Sequence, residues 1–291
     1  MGFLRTLLIL GRVSNLPTIW TNVAVGWFLS GGGWTGELGW IAAGISILYI
    51  AGMTTNDAFD ARWDSENAPD RPIPAGRISH QTVWVVGGIE FLVGIGILLT
   101  RTTFHPLLLG GLVFSILLYN AIHKHWKGSV LVMGLCRAFV YLGAGSAVVV
   151  QTNAIEVPGI LSVVSGAVIL YIAGITLAAR NEHLQVPTGT TYLNRLLLML
   201  PVLFPLFGGR TVPTSPLSTA LVVVGIFGIW AWLVIARKAL SEKTPKGIAF
   251  LIAGIAFFDA AIVAFADWRA GVICLVCFGL TLAAQRVIPA T

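Results

Sequence analysis

Ten apolar runs separated by short polar segments follow one another along the 291 residues of this chain. About 20 apolar residues are needed for a helix to cross the hydrocarbon of a bilayer, and these runs are of that length. The pattern predicts an all-α polytopic membrane protein with residues 1–291 in a single domain. The runs cover 16–35, 38–56, 80–99, 104–121, 129–150, 157–178, 193–208, 217–237, 247–265 and 270–287. Run 193–208 is short and contains Pro201 and Pro205, so we expect nine to ten transmembrane helices.

The charges support this class of protein and give an orientation. Only 10% of the residues are charged, against roughly a quarter in an average soluble domain, which excludes an ordinary soluble enzyme. With the N-terminus in the cytoplasm, only Arg101, Arg210 and Arg269 among the loop lysines and arginines fall outside. The net charge of +6 is therefore typical of inside-positive loops rather than of a nucleic-acid-binding protein. We expect an integral protein of the cell inner membrane.

The acidic residues are concentrated directly after the second apolar run. Asn56, Asp57, Asp60 and Asp64 have the spacing i, i+1, i+4 and i+8, which places them on one face of a continuing helix. Carboxylates packed in this way repel one another unless a cation lies among them. Mg²⁺ binds one or two carboxylates and completes its shell with water and phosphate oxygens. The pattern predicts a metal-bridged diphosphate, held at a cytoplasmic helix end.

A proline-stiffened segment follows, with the sequence Arg71-Pro-Ile-Pro-Ala-Gly-Arg77. The forked donors of guanidinium groups match phosphate oxygens, so Arg71 and Arg77 are candidates for binding the diphosphate. The alternative is a solvated loop with internal ion pairs, which explains neither the helical spacing of the acids nor their concentration.

These residues carry a resemblance to a known family. The segment Asn56-Asp-Ala-Phe-Asp-Ala-Arg-Trp-Asp64, followed by Arg71-Pro-Ile-Pro-Ala-Gly76, resembles the first aspartate-rich motif, NDxxDxxxD then RPxPxG, of the UbiA superfamily of intramembrane prenyltransferases. Gly11-Arg-Val-Ser-Asn-Leu-Pro17 with Asn22, and Tyr119-Asn-Ala-Ile-His-Lys124, resemble two further segments of that family. The resemblance implies a UbiA-like helical bundle around a central cavity. There Mg²⁺ and basic residues hold an isoprenyl diphosphate, which leaves as an acceptor attacks the allylic group.

A partial internal repeat shows where the chain departs from the family. Residues 49–54 (YIAGMT) and 171–176 (YIAGIT) match at five of six positions, and each precedes a cytoplasmic helix end. Extending the alignment sets Asn56, Asp57, Asp60 and Asp64 against Ala178, Ala179, Glu182 and Val186. The family's second aspartate-rich motif is thus missing, and Arg180 and Glu182 stand in its place. The pattern is similar to the UbiA-like proteins grouped as EboC-like. A single-metal site with Arg180 as second cation, a changed acceptor, and a non-catalytic chain all remain open.

We therefore expect a Mg²⁺-dependent prenyltransferase that acts on an isoprenyl diphosphate and an unidentified acceptor, with membrane lipid as a further partner and no nucleic acid. The alternative is a non-catalytic component that binds or exports a prenyl lipid. The predicted metal ligands are Asn56, Asp57, Asp60 and Asp64. The predicted catalytic residues are Asp57, Asp60, Asp64 and Glu182. The predicted diphosphate-binding residues are Asn56, Arg71, Arg77, Lys124, Arg137 and Arg180. Glu90, Asp259 and His123 are given no role.

Overall fold

The computed structural model describes residues 2–149, 158–183, 192–203, 215–241 and 246–290, apart from the side chains of 181–183, 192 and 241. Within these ranges the chain is helical and contains no strand. A short helix, α1, comes first, and each predicted apolar run then corresponds to one helix, α2 to α11. The helices are α1 (Phe3–Leu10), α2 (Leu16–Leu29), α3 (Gly36–Asn67), α4 (His80–Arg101), α5 (Pro106–Ile122), α6 (Ser129–Ser146), α7 (Gly159–His183), α8 (Tyr192–Met199), α9 (Pro216–Ser241), α10 (Lys246–Val263) and α11 (Trp268–Ala284).

The lengths of these helices fit an integral membrane protein. Among the described residues, six helices are long and apolar enough to cross a bilayer, namely α3, α4, α6, α7, α9 and α10. Helices α5 and α11 and the segment Leu193–Leu203 are apolar but shorter. The all-α polytopic membrane class predicted from the sequence is confirmed.

Helix α3 extends well beyond the apolar run that predicts it. Its 32 residues span about 48 Å, whereas the hydrocarbon core of a bilayer is about 30 Å thick. No proline interrupts it before Ala68, whose N–H closes the last turn on the carbonyl of Asp64. The acidic motif therefore continues the same helix as the apolar run, and its side chains lie on one inward face.

The α3–α4 connection holds the proline-rich segment close to this end of α3. The N–H groups of Ala75 and Arg77 donate to the carbonyls of Arg71 and Pro72, so the segment forms compact turns. Gly76 has φ +67°, a left-handed conformation that a side chain would strain. Ser79 then caps α4 by accepting a hydrogen bond from the N–H of Thr82 at 3.1 Å.

Helix α2 packs against α3, α6, α10 and α11. Its approach to α6 is close because position 26 is a glycine: a Cβ there would lie 2.2 Å from the carbonyl oxygen of Tyr141. The close contact brings the polar side chains of α2, among them Thr21 and Asn22, against residues of α6 and α10.

Candidate active site at one end of the bundle

The four polar residues of the acidic motif are buried on the inward face of α3. Asn56, Asp57, Asp60 and Asp64 each expose 6% or less of their surface. Carboxylates so deeply buried are costly unless cations or hydrogen-bond donors compensate them. The surrounding elements supply such cations.

Arg71 bridges two of the carboxylates. Its Nη1 lies 3.1 Å from Oδ1 of Asp57 and 3.3 Å from Oδ2 of Asp64. A second guanidinium reaches the same carboxylate, because Nη2 of Arg12 lies 3.5 Å from Oδ1 of Asp57. The turns of the α3–α4 connection and the N-terminal segment therefore meet over one end of the acidic face.

Asp60 is compensated by two residues that directly follow α5. Its Oδ2 lies 3.2 Å from Nε2 of His123 and 3.3 Å from Nζ of Lys124. The ammonium of Lys124 also lies 3.7 Å from the centre of the Trp63 ring, on the same helix as Asp60. Lys124, a predicted diphosphate-binding residue, therefore lies beside the acidic motif, together with His123.

The sequence prediction gave no role to Arg12 or His123. Arg12 has φ +43°, an uncommon conformation for a residue other than glycine, and begins the short 3-10 turn Val13–Asn15. The amide of Asn15 in that turn donates to the carbonyl of Ala290 at 3.0 Å, so the C-terminal residues brace it. Arg12 lies in the motif segment 11–17, and His123 lies beside Lys124 in another such segment. Their positions in those two segments are the sequence feature that could have pointed to both residues.

Asn56 is held by an asparagine of α5. Its Nδ2 donates to Oδ1 of Asn120 at 3.2 Å, while Nδ2 of Asn120 donates to the carbonyl of Gly52 at 2.9 Å and to Oγ1 of Thr55 at 3.1 Å. Because Asn120 uses both ends of its amide on α3, it fixes which end of the Asn56 amide faces it. The carbonyl oxygen of Asn56 is the end left for a ligand.

The remaining predicted site residues are placed differently. Arg180 on α7 donates to the carbonyls of Trp126 and Lys124, at 3.1 and 3.4 Å, and so ties α7 to the segment that carries Lys124. Arg77 is exposed and, among the described residues, pairs with no carboxylate. The side chain of Glu182 lies outside the described residues.

Arg137 belongs to a different polar cluster. On α6, its Nη1 donates to the carbonyl of Thr18 at 3.1 Å and to Oδ1 of Asn22 at 2.5 Å. Nδ2 of Asn22 in turn donates to the buried Asp259 of α10 at 2.7 Å. The structure therefore does not bring Arg137 into contact with Asp57, Asp60 or Asp64.

A cavity of about 80 Å³ lies between the two clusters. Asn120 and Tyr119 line it on the side of the acidic motif, and Arg137 and Tyr49 also form part of its wall. Most of the other lining residues are apolar: Ile19, Ile45, Leu48, Gly52, Met53, Leu112, Ile116, Met133, Cys136 and Val140. An apolar cavity with a few polar groups in its wall is typical of a binding site for a small, largely apolar ligand.

The donors of the acidic motif fit a magnesium ion that is shared with a phosphate. Oδ1 of Asp64 is buried and accepts no hydrogen bond from the described residues, so it is free for a cation. Oxygen donors of aspartate and asparagine are the ligands that Mg²⁺ prefers. Within the described ranges, no three His, Cys, Asp or Glu side chains converge on a point that could hold a metal. The side chains of the acidic motif therefore do not form a complete metal site by themselves. Phosphate oxygens would complete the shell of a bound ion, as is usual for Mg²⁺.

These features define a helical membrane protein with a charged site at one end of an apolar cavity. Residues 16–236 match the UbiA prenyltransferase family, and the chain belongs to it. Membership confirms the family expected from the aspartate-rich motif.

Curated relatives of this chain include proteins named digeranylgeranylglyceryl phosphate synthase. The protein of Haloquadratum walsbyi is 27% identical over 238 residues, which cover 79% of this chain and 80% of that protein. The protein of Methanopyrus kandleri is 34% identical over 95 residues, which cover 32% of this chain and only 34% of that protein. The 4-hydroxybenzoate octaprenyltransferase of Pectobacterium carotovorum is 28% identical over 108 residues, covering 35% of this chain and 37% of that protein.

The fold is also found in solved structures. The apo structure of a UbiA homolog from Aeropyrum pernix K1 has a TM-score of 0.64 and 21% identity, and covers 88% of this chain and 98% of that chain. A structure from a study of digeranylgeranylglyceryl phosphate synthase in membranes has a TM-score of 0.63 and 19% identity, covering 91% and 99%. Membership of the UbiA prenyltransferase family, together with a relative named as an octaprenyltransferase, supports intramembrane prenyl transfer as the general class of activity, that of a transferase of alkyl groups other than methyl.

Proposed function

We propose that this protein is a Mg²⁺-dependent intramembrane prenyltransferase. It transfers an isoprenyl group from an allylic prenyl diphosphate to an acceptor in the membrane, and residues 1–291 form its single domain. The observation that carries the proposal is the buried carboxylate face of α3, which Arg12, Arg71, His123 and Lys124 surround beside an apolar cavity.

Different residues bind the Mg²⁺ ion and the diphosphate of the donor. Asn56, Asp57, Asp60 and Asp64 supply the oxygen ligands for Mg²⁺. The diphosphate-binding set is Arg12, Arg71, Arg77, Lys124 and Arg180, with Arg137 in the cavity wall. Arg12 and Lys124 pair with different carboxylates of α3, Asp57 and Asp60, so they approach a diphosphate from different positions. Glu182 supports a second cation or the acceptor.

The chemistry follows from charge. When bound, Mg²⁺ neutralises negative charge on the departing diphosphate, which is the main electrostatic requirement of such a reaction. The guanidinium and ammonium groups share this task through charge-assisted hydrogen bonds. The apolar cavity excludes water from the allylic group, and the rings of Tyr49 and Tyr119 in its wall stabilise positive charge that develops there.

The orientation follows from the positive-inside rule. We propose that the acidic motif and the N-terminus face the cytoplasm and that the host membrane is the cell inner membrane. Modification of a cysteine introduced at the exposed Ser65 by a membrane-impermeant maleimide, in intact cells and in inverted vesicles, tests this. Labelling that requires inversion supports the orientation, and labelling in intact cells contradicts it.

The test of the function is pyrophosphate release by the purified protein in detergent. Geranyl, farnesyl and geranylgeranyl diphosphates are offered with and without Mg²⁺, alongside the Asp60→Asn variant. We expect Mg²⁺-dependent release that is lost in a variant that remains folded. Full activity of Asp60→Asn contradicts the site assignment. Mg²⁺-dependent binding of the same lipids without release supports the binding or export component, and gives the missing second motif its explanation.

A further inference from the structure

A carboxylate lies fully buried in α10, apart from the acidic motif. Asp259 exposes none of its surface. Its Oδ2 accepts hydrogen bonds from Oγ1 of Thr21 at 2.5 Å and from Nδ2 of Asn22 at 2.7 Å, and its Oδ1 accepts one from the hydroxyl of Tyr141. Each of these groups can donate, and Nδ2 of Asn22 can only donate, so the arrangement suits a charged carboxylate. Ionisable residues within membrane spans mark functional sites.

Asn22 connects this carboxylate to Arg137. Its Nδ2 donates to Asp259 and its Oδ1 accepts from Nη1 of Arg137. A flipped amide would set its oxygen against the carboxylate and its NH₂ group against the guanidinium. Only one orientation of the Asn22 amide therefore satisfies both neighbours. Asp259 fixes the orientation in which the amide oxygen faces Arg137, and Arg137 fixes the orientation in which the NH₂ group faces Asp259.

The hydrogen bonds that hold the guanidinium of Arg137 do not use all of its donors. Within the described ranges no carboxylate forms an ion pair with it, and its bonds run from Nη1 and Nη2 to Thr18 and Asn22. Its Nε–H donates to none of the described residues. Arg137 also lines the cavity, with its guanidinium carbon 5.9 Å from the centre of the Tyr49 ring. A direct ion pair with Asp259 would use the donors that this arrangement leaves for a ligand.

We propose that Asp259 is a positioning residue that acts through Asn22 to hold Arg137 at the cavity wall, where the guanidinium binds an oxyanion of the ligand. This inference rests on the proposed function. The oxyanion belongs either to the diphosphate of the donor or to an acidic group of the acceptor. Asp259 also balances the charge of Arg137 inside the bundle, where an uncompensated cation is costly.

The test compares four proteins in detergent: wild type, Asp259→Asn, Arg137→Gln and the double variant. Dissociation constants are measured for inorganic pyrophosphate and for geranylgeranyl diphosphate, both with Mg²⁺, and for 4-hydroxybenzoate as a carboxylate probe. Thermal unfolding without ligand is recorded in parallel. The matched control is Thr281→Val, because this buried hydroxyl donates within its own helix, to Cys277. It is expected to leave every dissociation constant unchanged.

We expect Asp259→Asn to weaken binding about tenfold, and to add nothing further when Arg137 is already Gln. Loss confined to the two phosphate probes assigns the oxyanion to the donor, and loss confined to the carboxylate probe assigns it to the acceptor. Unchanged affinities in Asp259→Asn, or fully additive losses in the double variant, overturn the proposal.

The thermal unfolding data distinguish failure of the proposed function from failure of the link between Asp259 and Arg137. If wild-type protein binds no probe, the proposed function fails. The link between Asp259 and Arg137 is then decided by stability alone. We expect the double variant to unfold at a higher temperature than the sum of the single shifts implies, because it leaves no lone buried charge. Additive shifts contradict the link.

Discussion

Nη1 of Arg71 lies within 3.3 Å of carboxylate oxygens of both Asp57 and Asp64, so a single guanidinium from the α3–α4 connection joins residues two turns apart on α3. The bridge explains how buried carboxylates persist on one helix face. It also couples the proline-rich segment to the acidic motif, because loss of either partner leaves charge uncompensated in a buried place.

The first prediction separates the two arginines of that segment. Arg71→Gln should lower the free energy of unfolding by about 1–3 kcal/mol, since charge-assisted hydrogen bonds to two buried carboxylates are lost. Arg77→Gln should change it by less than about 0.5 kcal/mol, because Arg77 is exposed. Both should weaken binding of prenyl diphosphate. Denaturant or thermal unfolding in detergent measures the difference, and equal destabilisation by the two variants contradicts the bridge.

The second prediction concerns Arg12, which the sequence did not single out. Arg12→Gln should raise the KM for prenyl diphosphate about tenfold, which corresponds to about 1.4 kcal/mol of lost interaction. Steady-state pyrophosphate release measures it. Arg5→Gln is the matched control, because Arg5 is an exposed arginine in the same N-terminal region. A similar rise in both variants would point to a general effect of surface charge and against a local role of Arg12.

The third prediction tests how Asn120 orients Asn56. Asn120→Asp keeps an acceptor for the Asn56 amide but loses the donor to Gly52 and Thr55, and it adds a negative charge. We expect the Mg²⁺ concentration for half-maximal turnover to change at least tenfold, while Asn120→Ser, which keeps one donor, has a smaller effect. A Mg²⁺ titration of pyrophosphate release decides it. An unchanged midpoint in Asn120→Asp excludes the orienting role.

The fourth prediction uses ligand-dependent stability. Pyrophosphate and Mg²⁺ together, at about one hundred times their dissociation constant, should stabilise the protein by about 2.7 kcal/mol. Either component alone should give much less, because the carboxylates and the phosphate complete one coordination shell. Thermal unfolding of wild type and of Asp57→Asn checks this. The prediction fails if the variant gains as much stability as wild type, or if pyrophosphate without metal suffices.

Much of the fold could be predicted from hydropathy, since a bilayer requires long apolar helices and each apolar run corresponds to one. The ends of the helices were harder to predict from hydropathy. Hydropathy ended the second run at residue 56, whereas α3 continues to Asn67, because a helix persists through polar residues when its neighbours compensate them. The spacing of Asn56, Asp57, Asp60 and Asp64 nevertheless predicted their common face.

What the sequence by itself determined is local: the helices, the shared face of the acids, and the nearness of Arg71 to them. Arg12, His123 and Asp259 took their places only through tertiary contacts between residues far apart in the chain, such as Arg12 with Asp57 and Asn22 with Asp259. The physical reason is that helix periodicity acts within a few turns. The partner of a buried charge is chosen by the packing of whole helices, which no local pattern records.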